Sequence, residues 1–235
     1  MRRQSGFTLI ELLVVVAIIS LLMSILAPSL NRATQITRSA ICRSNLHHLH
    51  IAFYAYAGQY KGQPFPYICD NNQPGKFWME LLRPYYSELD KIRFCPLAIT
   101  PTGWGSAFTA WGPYAGWMNN HTGSYAINGW MYNYGPNHSL GYGSIFLNGH
   151  ARIPLWADSV WVDAWPRWDD TVKNTPPPDL LAGANDGGMG RICIARHDRS
   201  VNIAFLAGNA ENVSLERLWL LKWNKMFTPT EIAVP

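Results

Sequence analysis

The chain contains few charged residues. Asp, Glu, Lys and Arg make up only 14% of its 235 residues, against about 25% in an average soluble domain. The formal net charge is +4, and Arg2 and Arg3 contribute to this excess at the very start of the chain. So small an excess does not favour a nucleic-acid-binding protein. The 48% hydrophobic content excludes an intrinsically disordered chain.

The sequence also lacks the short motifs of common catalytic sites. It contains no G-x-S-x-G, no H-E-x-x-H, no Walker loop and no G-x-G-x-x-G, which argues against an enzyme. The four cysteines are spaced by 27, 26 and 98 positions, and this fits no zinc template. We therefore expect no catalytic residue, no cofactor and no metal site. Four cysteines permit three disulfide pairings, of which Cys69–Cys95 is preferred because both residues flank loops.

The most prominent feature is a long apolar run, Phe7–Leu26, with only four polar members: Thr8, Glu11, Ser20 and Ser24. Twenty helical residues span about 30 Å, the thickness of the hydrocarbon core of a bilayer. The run is apolar on all sides, which favours a membrane-spanning helix over an amphipathic one. A cleaved secretory signal is the alternative, but bulky Ile25 and Pro28 beside Ala27 suit signal cleavage badly.

Glu11 is the one acidic residue in this run. Ionisable residues inside a membrane segment are costly, and they are functional by default. Glu11 lies only one turn after Phe7, however, where the positive end of a helix favours a carboxylate. Taken alone, it is either an interfacial first-turn residue or a functional one.

The residues around Glu11 resemble a known signal. Met1-Arg-Arg-Gln-Ser-Gly6 followed by Phe7-Thr-Leu-Ile-Glu11 is similar to the leader of type IV prepilins and type II secretion pseudopilins. The resemblance implies that prepilin peptidase cleaves after Gly6 and methylates the new amine of Phe7. It also implies leader charges at Arg2 and Arg3 and a helix-bending proline at Pro28.

The same resemblance implies a role for Glu11 in assembly. Cleavage creates a cationic amine on Phe7, and Glu11 of a neighbouring helix is the acid that would pair with it, since unpaired charges are strongly penalised in an apolar bundle. The expected function is a structural subunit of a type II secretion pseudopilus or a type IV-like pilus. The implied partners are prepilin peptidase, other pilin or pseudopilin subunits and the bacterial inner membrane, with the head in the periplasm or on the cell surface.

A second function remains open. The chain contains 11 Trp residues, and exposed aromatic side chains clustered on loops bind ligands. A membrane-tethered protein that binds glycan or an envelope ligand, without polymerising, is therefore the alternative. The two functions differ in whether Glu11 is needed for incorporation into a fibre.

The apolar helix is predicted to continue beyond Pro28. Apolar residues recur at spacings of three and four, which indicates one buried stripe of an amphipathic helix: Cys42, Leu46, Leu49, Phe53, Tyr56 and Tyr60. Gly58, Gly62 and Pro64 end the pattern. The histidines at positions 47, 48 and 50 lie on this helix without a carboxylate or cysteine to complete a zinc site. The predicted organisation is a leader over 1–6, a transmembrane helix over 7–28, its amphipathic continuation over 29–60 and a head over 61–235.

The head is predicted to contain short helical turns over 77–94 and a small antiparallel sheet. Residues 191–195 and 201–205 are predicted to form a β-hairpin, with a third strand near 212–213. A terminal amphipathic helix is predicted over 215–227, with Leu218, Trp219 and Leu221 directed inward. A long helix packed on such a sheet is a pilin-like α+β fold.

The end of the head resembles the H-x9-D-G segment of prepilin-like proteins from Planctomycetes and related bacteria. Arg196-His197, Asn202-Ile-Ala-Phe205 and Gly208 match that pattern, and Ala207 stands where it has Asp. The strand–turn–strand geometry that the resemblance implies does not need this Asp.

An acidic stretch precedes this segment. Its six aspartates fit no EF-hand spacing, so solvated loop carboxylates are favoured over Ca²⁺ ligands: Asp158, Asp163, Asp169, Asp170, Asp179 and Asp186.

Overall fold

A computed structural model describes residues 7–66, 77–86, 91–114, 120–135, 137–147, 150–167 and 175–235. The chain divides into two compact units, Met1–Thr37 and Arg38–Pro235. The second unit contains the whole sheet and both clusters of buried apolar side chains.

One helix, α1 (Leu9–Gln59), accounts for the N-terminal part of the chain and includes Pro28. Its most apolar 18-residue window has a mean hydropathy of 2.9, and none of that window is buried. Length and composition therefore fit a membrane anchor, as predicted. After Gln59 the backbone turns through left-handed conformations at Lys61 (φ 55°) and Gly62 (φ 78°). The helix thus ends between the two predicted glycines.

The C-terminal part of α1 buries the predicted stripe. Cys42, Leu46, Leu49 and Phe53 are fully buried. Tyr60, the last predicted member, is 51% exposed because it follows the end of the helix. A short helix α2 (Trp78–Leu82) and 3-10 turns at Arg83–Tyr85 and Lys91–Arg93 confirm the helical turns expected over 77–94.

The sheet has five strands in the order β3-β1-β2-β4-β5. They are β1 (Tyr125–Asn128), β2 (Pro154–Asp158), β3 (Asp163–Ala164), β4 (Ser200–Phe205) and β5 (Ala210–Ser214). Neighbouring strands run antiparallel except for β1 and β3, which are parallel. The predicted antiparallel pairing is therefore confirmed for three of the four strand pairs, and the parallel β1–β3 pair at the edge makes the sheet mixed.

The predicted hairpin between residues 191–195 and 201–205 was wrong. The backbone N–H groups of Ile192 and Cys193 both donate to the Met189 carbonyl, so this segment is a tight turn instead of a strand. Its apolar side chains pack in the core, but its backbone does not pair with β4. The hairpin is formed by β4 and β5, with Val201 opposite Val213, which confirms the predicted third strand.

Both faces of the sheet are covered. Residues of α1 share one apolar cluster with Tyr125, Ile127 and Trp156. The opposite cluster contains Val201, Ile203 and Phe205 together with the C-terminal segment. That segment is a 3-10 turn, Leu215–Leu220, and not the predicted long helix. Its inward residues are as predicted: Leu218, Trp219 and Leu221 are buried.

Candidate functional site

The N-terminal motif forms a capping box at the start of α1. The backbone N–H and the hydroxyl of Thr8 each donate to Oε2 of Glu11 at 2.8 Å. The backbone N–H of Glu11 lies 3.3 Å from the Thr8 hydroxyl oxygen, which accepts it. This is the reciprocal pattern of Ser/Thr at the N-cap and Glu at N3. The T-x-x-E spacing over Thr8–Glu11 is the sequence signature of this box, and it was overlooked in the predictions above.

The other predicted residues of this motif are placed as follows. Arg2, Arg3 and Gly6 lie outside the described residues, so cleavage after Gly6 stays a prediction. Phe7 is 72% exposed, and Pro28 lies inside α1. Residues 7–26 present their apolar side chains outward, as a helix surrounded by lipid or by other helices requires.

Gly208 lies in the turn between β4 and β5, directly against α1. Its φ is 98°, and its carbonyl oxygen lies 2.9 Å from Nδ1 of His47. A Cβ at this position would stand 3.1 Å from Cε1 of His50. Nε2 of His50 and the Tyr54 hydroxyl contact the Leu206 carbonyl oxygen at 3.2 and 2.7 Å. Two of the three clustered histidines thus bond the helix to the sheet through backbone carbonyls.

His197, the other residue of the H-x9-D-G-like segment, precedes β4, at the opposite end of that strand from Gly208. It belongs to a buried polar cluster whose other members are Cys42, Cys95 and Asp158. The four potential ligand atoms all lie within 4.8 Å of one another. Among the described residues this is the group of His, Cys, Asp or Glu that has the arrangement of a metal site.

Four separate parts of the chain contribute to this cluster. Cys42 comes from α1 and its thiol points to Oδ1 of Asp158 at 3.4 Å. Asp158 is the last residue of β2. Nε2 of His197 lies 3.3 Å from Oδ2 of Asp158 and 3.2 Å from Sγ of Cys95. The Tyr125 hydroxyl donates to Sγ of Cys42 at 3.3 Å.

Arg196 surrounds the carboxylate from the other side. Its guanidinium is fully buried and lies 3.1 Å from Oδ1 of Asp158. The other four N–H groups donate to backbone carbonyl oxygens. Nε donates to Ala107 and Nη1 to Ser124. Nη2 donates to both Ser106 and Ser159. All five N–H donors of the arginine are therefore used.

The electrostatics of the cluster follow from burial and close pairing. Burial alone raises the pKa of Asp158, but His197 and Arg196 outweigh it and lower the pKa to about 2. Burial lowers the pKa of His197, and the adjacent Asp158 carboxylate outweighs this and raises it to about 9. Burial raises the pKa of the Cys42 thiol well above its usual range. An ionised carboxylate is thus maintained in the interior by its partners.

The cluster corrects two expectations. Asp158 and Asp163 are buried instead of solvated loop residues, because Arg196 and Arg191 pair with them at 3.1 Å. Cys95 is a free, buried cysteine, and Cys69 lies outside the described residues. The structure therefore gives no support to a Cys69–Cys95 disulfide and places the Cys95 thiol beside Cys42 instead. Of the other aspartates, Asp179 and Asp186 accept backbone N–H groups of neighbouring turns.

Most of the described tryptophans belong to the core. Six are buried: Trp78, Trp111, Trp130, Trp156, Trp219 and Trp223. Three others, Trp104, Trp161 and Trp165, are half-buried. They surround the guanidinium of Arg191 at 5.6–5.9 Å, and Trp104 stacks on Trp161 with ring centroids 4.7 Å apart.

Comparison with known proteins bears on the N-terminal segment. Residues 1–27 match the family described as the prokaryotic N-terminal methylation motif. No curated protein and no solved structure matches the chain significantly. The matched motif supports a type IV pilin-like protein that is processed by prepilin peptidase, and with the apolar helix it supports a membrane anchor.

Proposed function

We propose that this chain is a structural subunit of a pseudopilus or type IV-like pilus, cleaved after Gly6 and N-methylated on Phe7. The apolar part of α1 anchors it in the bacterial inner membrane, and the unit Arg38–Pro235 forms a head outside the cytoplasm. The observation that carries this proposal is the methylation motif over residues 1–27, which leads into a helix with a fully uncovered apolar surface. Such a surface needs lipid or other helices around it.

Glu11 is the residue that sets the register between subunits. Both cap bonds from Thr8 end on Oε2, and Oε1 accepts no hydrogen bond from the described residues. The carboxylate is thus able to cap its own helix and to bind the methylated amine of a neighbouring Phe7. Pairing these charges in an apolar bundle offsets the cost of removing them from water.

Substitutions at Glu11 and Thr8 distinguish the helix cap within the chain from the proposed ion pair with the Phe7 amine of a neighbouring chain. Glu11→Gln keeps the capping box, which accepts Gln as well as Glu, but removes the negative charge. We expect Glu11→Gln and Glu11→Ala to be inserted and processed normally and yet to be absent from sheared fibres or to fail in restoring secretion. Thr8→Ala is the matched control, because it removes the cap and keeps the charge, and it should still be incorporated. Normal incorporation of Glu11→Gln would contradict the register role.

The mature N-terminus tests the processing step. Mass spectrometry of the protein from its native host should find N-methylated Phe7 as the first residue. Gly6→Leu should block cleavage, because a side chain at this position hinders the close approach of backbone to a protease cleft. A chain that still begins with Met1 in its native host would rule out the proposed processing.

The tethered binding protein stays the second candidate. The half-buried Trp104, Trp161 and Trp165 beside Arg191 support it, since aromatic faces bind planar or apolar ligand surfaces. Trp104→Ala should weaken binding to immobilised envelope polysaccharide in this case, whereas Phe108→Ala, at an exposed aromatic residue that does not contact Arg191 in this way, should not. Equal binding by both variants would leave the structural subunit as the better account.

A further inference from the structure

We propose that Cys42, Cys95, Asp158 and His197 bind one Zn²⁺ ion, which joins α1 to the sheet of the head. No metal site was expected from the sequence, because the spacing of the cysteines fits no zinc template. The fold brings together ligands from positions far apart in the chain, so no local motif marks this site.

The distances in the cluster are those of a tetrahedral site. Zinc binds sulfur at about 2.3 Å and imidazole nitrogen or carboxylate oxygen at about 2.0–2.2 Å. Neighbouring ligand atoms around such an ion are then separated by about 3.3–3.8 Å. With Asp158 Oδ2 as the carboxylate ligand, the observed separations are 3.7 Å from Cys42 Sγ to that oxygen, 3.3 Å from the same oxygen to His197 Nε2 and 3.2 Å from that nitrogen to Cys95 Sγ.

The ligand types select the metal. Two sulfurs, one imidazole nitrogen and one carboxylate oxygen form a donor set that suits zinc, whereas Ca²⁺ and Mg²⁺ prefer oxygen ligands only. All four residues are buried. Four protein ligands in a site closed to water are characteristic of structural zinc, in contrast to catalytic zinc, which keeps one position open.

The charges around the site balance. Zn²⁺ ligands must be deprotonated, so binding releases to solvent the protons that the two thiols and the His197 imidazole carry in the metal-free site, and it leaves two thiolates and a neutral His197. The charges of the ion, two thiolates, the Asp158 carboxylate and the Arg196 guanidinium then sum to zero. Arg196 contacts the carboxylate at 3.1 Å, and the Tyr125 hydroxyl donates to Cys42 Sγ at 3.3 Å. These are the outer contacts that orient ligands in metal sites.

Metal analysis of the full-length chain, purified in detergent without chelators, tests this proposal. We expect about one zinc ion per chain, as a four-ligand structural site requires. Cys42→Ser, Cys95→Ser and His197→Gln should each reduce the zinc content to background. Cys193→Ser is the matched control, since Cys193 is also a buried free cysteine but lies outside the cluster, and it should keep the full zinc content.

A second measurement on the unaltered chain does not depend on whether the variants fold. Replacement of zinc by Co²⁺ should give the thiolate-to-cobalt charge-transfer band and the intense visible bands of a tetrahedral site. Alkylation should modify Cys42 and Cys95 only after the metal has been removed. Absence of stoichiometric zinc together with failure to take up Co²⁺ would overturn the proposal, and so would an intact mass and peptide map that show a Cys42–Cys95 disulfide.

Discussion

At the scale of single residues, Arg196 connects several separate segments of the head through its buried guanidinium. Its five donors join the loop at residues 106–107, the residue before β1 and the end of β2. A lysine has three donors on one atom and cannot reach partners arranged around a planar fork. The arginine therefore determines how these segments meet behind Asp158.

Arg196→Lys keeps the positive charge but leaves at least two of the five buried acceptors without a donor, which should lower the free energy of unfolding by about 1–3 kcal/mol for each. Chemical denaturation monitored by tryptophan fluorescence measures this change. The control is Arg199→Lys, because Arg199 pairs with Glu216 at 2.8 Å on the surface, with the two side chains 50% and 45% exposed. Its effect should be about 1 kcal/mol or less, and equal effects of the two substitutions would contradict the role of Arg196.

Gly208 is the second residue whose identity the structure requires. Gly208→Ala should destabilise the head by about 1–3 kcal/mol through backbone strain at a positive φ, and further through contact with the His50 ring. Gly135→Ala is matched to it, since Gly135 has φ 90° but no atom within 4 Å of its Cβ position. If Gly208→Ala lowers the unfolding temperature more than Gly135→Ala does, the difference gives the cost of the contact between the new Cβ and the His50 ring of α1. Equal losses would show that this approach is unimportant.

At the scale of elements, the docking of α1 on the β4–β5 turn depends on neutral histidine. Burial lowers the pKa of His50 from its ordinary value of about 6.5, and the nearby His47 adds to this effect. The unfolded chain therefore binds a proton on His50 at a higher pH than the folded chain does. The stability that His50 contributes is complete above about pH 6.5 and is lost as the pH falls below it.

His50→Gln should accordingly reduce the loss of stability between about pH 7 and pH 5. Thermal unfolding of the full chain in detergent at a series of pH values gives this comparison. His48→Gln serves as the control, because His48 is an exposed neighbour on the same helix and its removal should leave the slope unchanged. An unaltered slope in His50→Gln would show that other groups cause the acid sensitivity.

At the scale of the whole molecule, the unit Arg38–Pro235 contains its own core on both faces of the sheet. The apolar part of α1 belongs to the other unit and contributes no buried residue to that core. Anchoring and folding are therefore separate tasks of the two units. We expect the head to fold without the apolar part of α1.

A fragment over residues 30–235 should consequently be soluble and fold without detergent. Its thermal unfolding should be cooperative, with a midpoint close to that of the full chain in detergent. A fragment over residues 45–235 is the informative comparison, because it lacks Cys42 and the adjacent turn of α1, and we expect it to be markedly less stable. Aggregation of the longer fragment would contradict the independence of the head.

The amino-acid sequence determines the elements whose signals are local. The apolar run, the stripe of α1 through Leu46 and Phe53, and the strand at 201–205 all follow from the spacing of apolar residues over a few turns or positions. The local structure at Ile192 and Cys193 does not follow from this spacing, because a short apolar run has the same pattern in a strand and in a buried turn. Only the packing against the far face of the sheet decided between them.

The buried cluster belongs wholly to the tertiary structure. The sequence pattern predicts that Cys42 is one more apolar position on a helix, and it predicts that Asp158 is one of several loop aspartates. They meet because α1 crosses the end of β2, and a carboxylate is maintained there because Arg196 and His197 arrive from a third segment. Burial of a charge depends on partners that are distant in sequence, so spacing along the chain reveals the helix that enters the membrane but not the polar centre of the head.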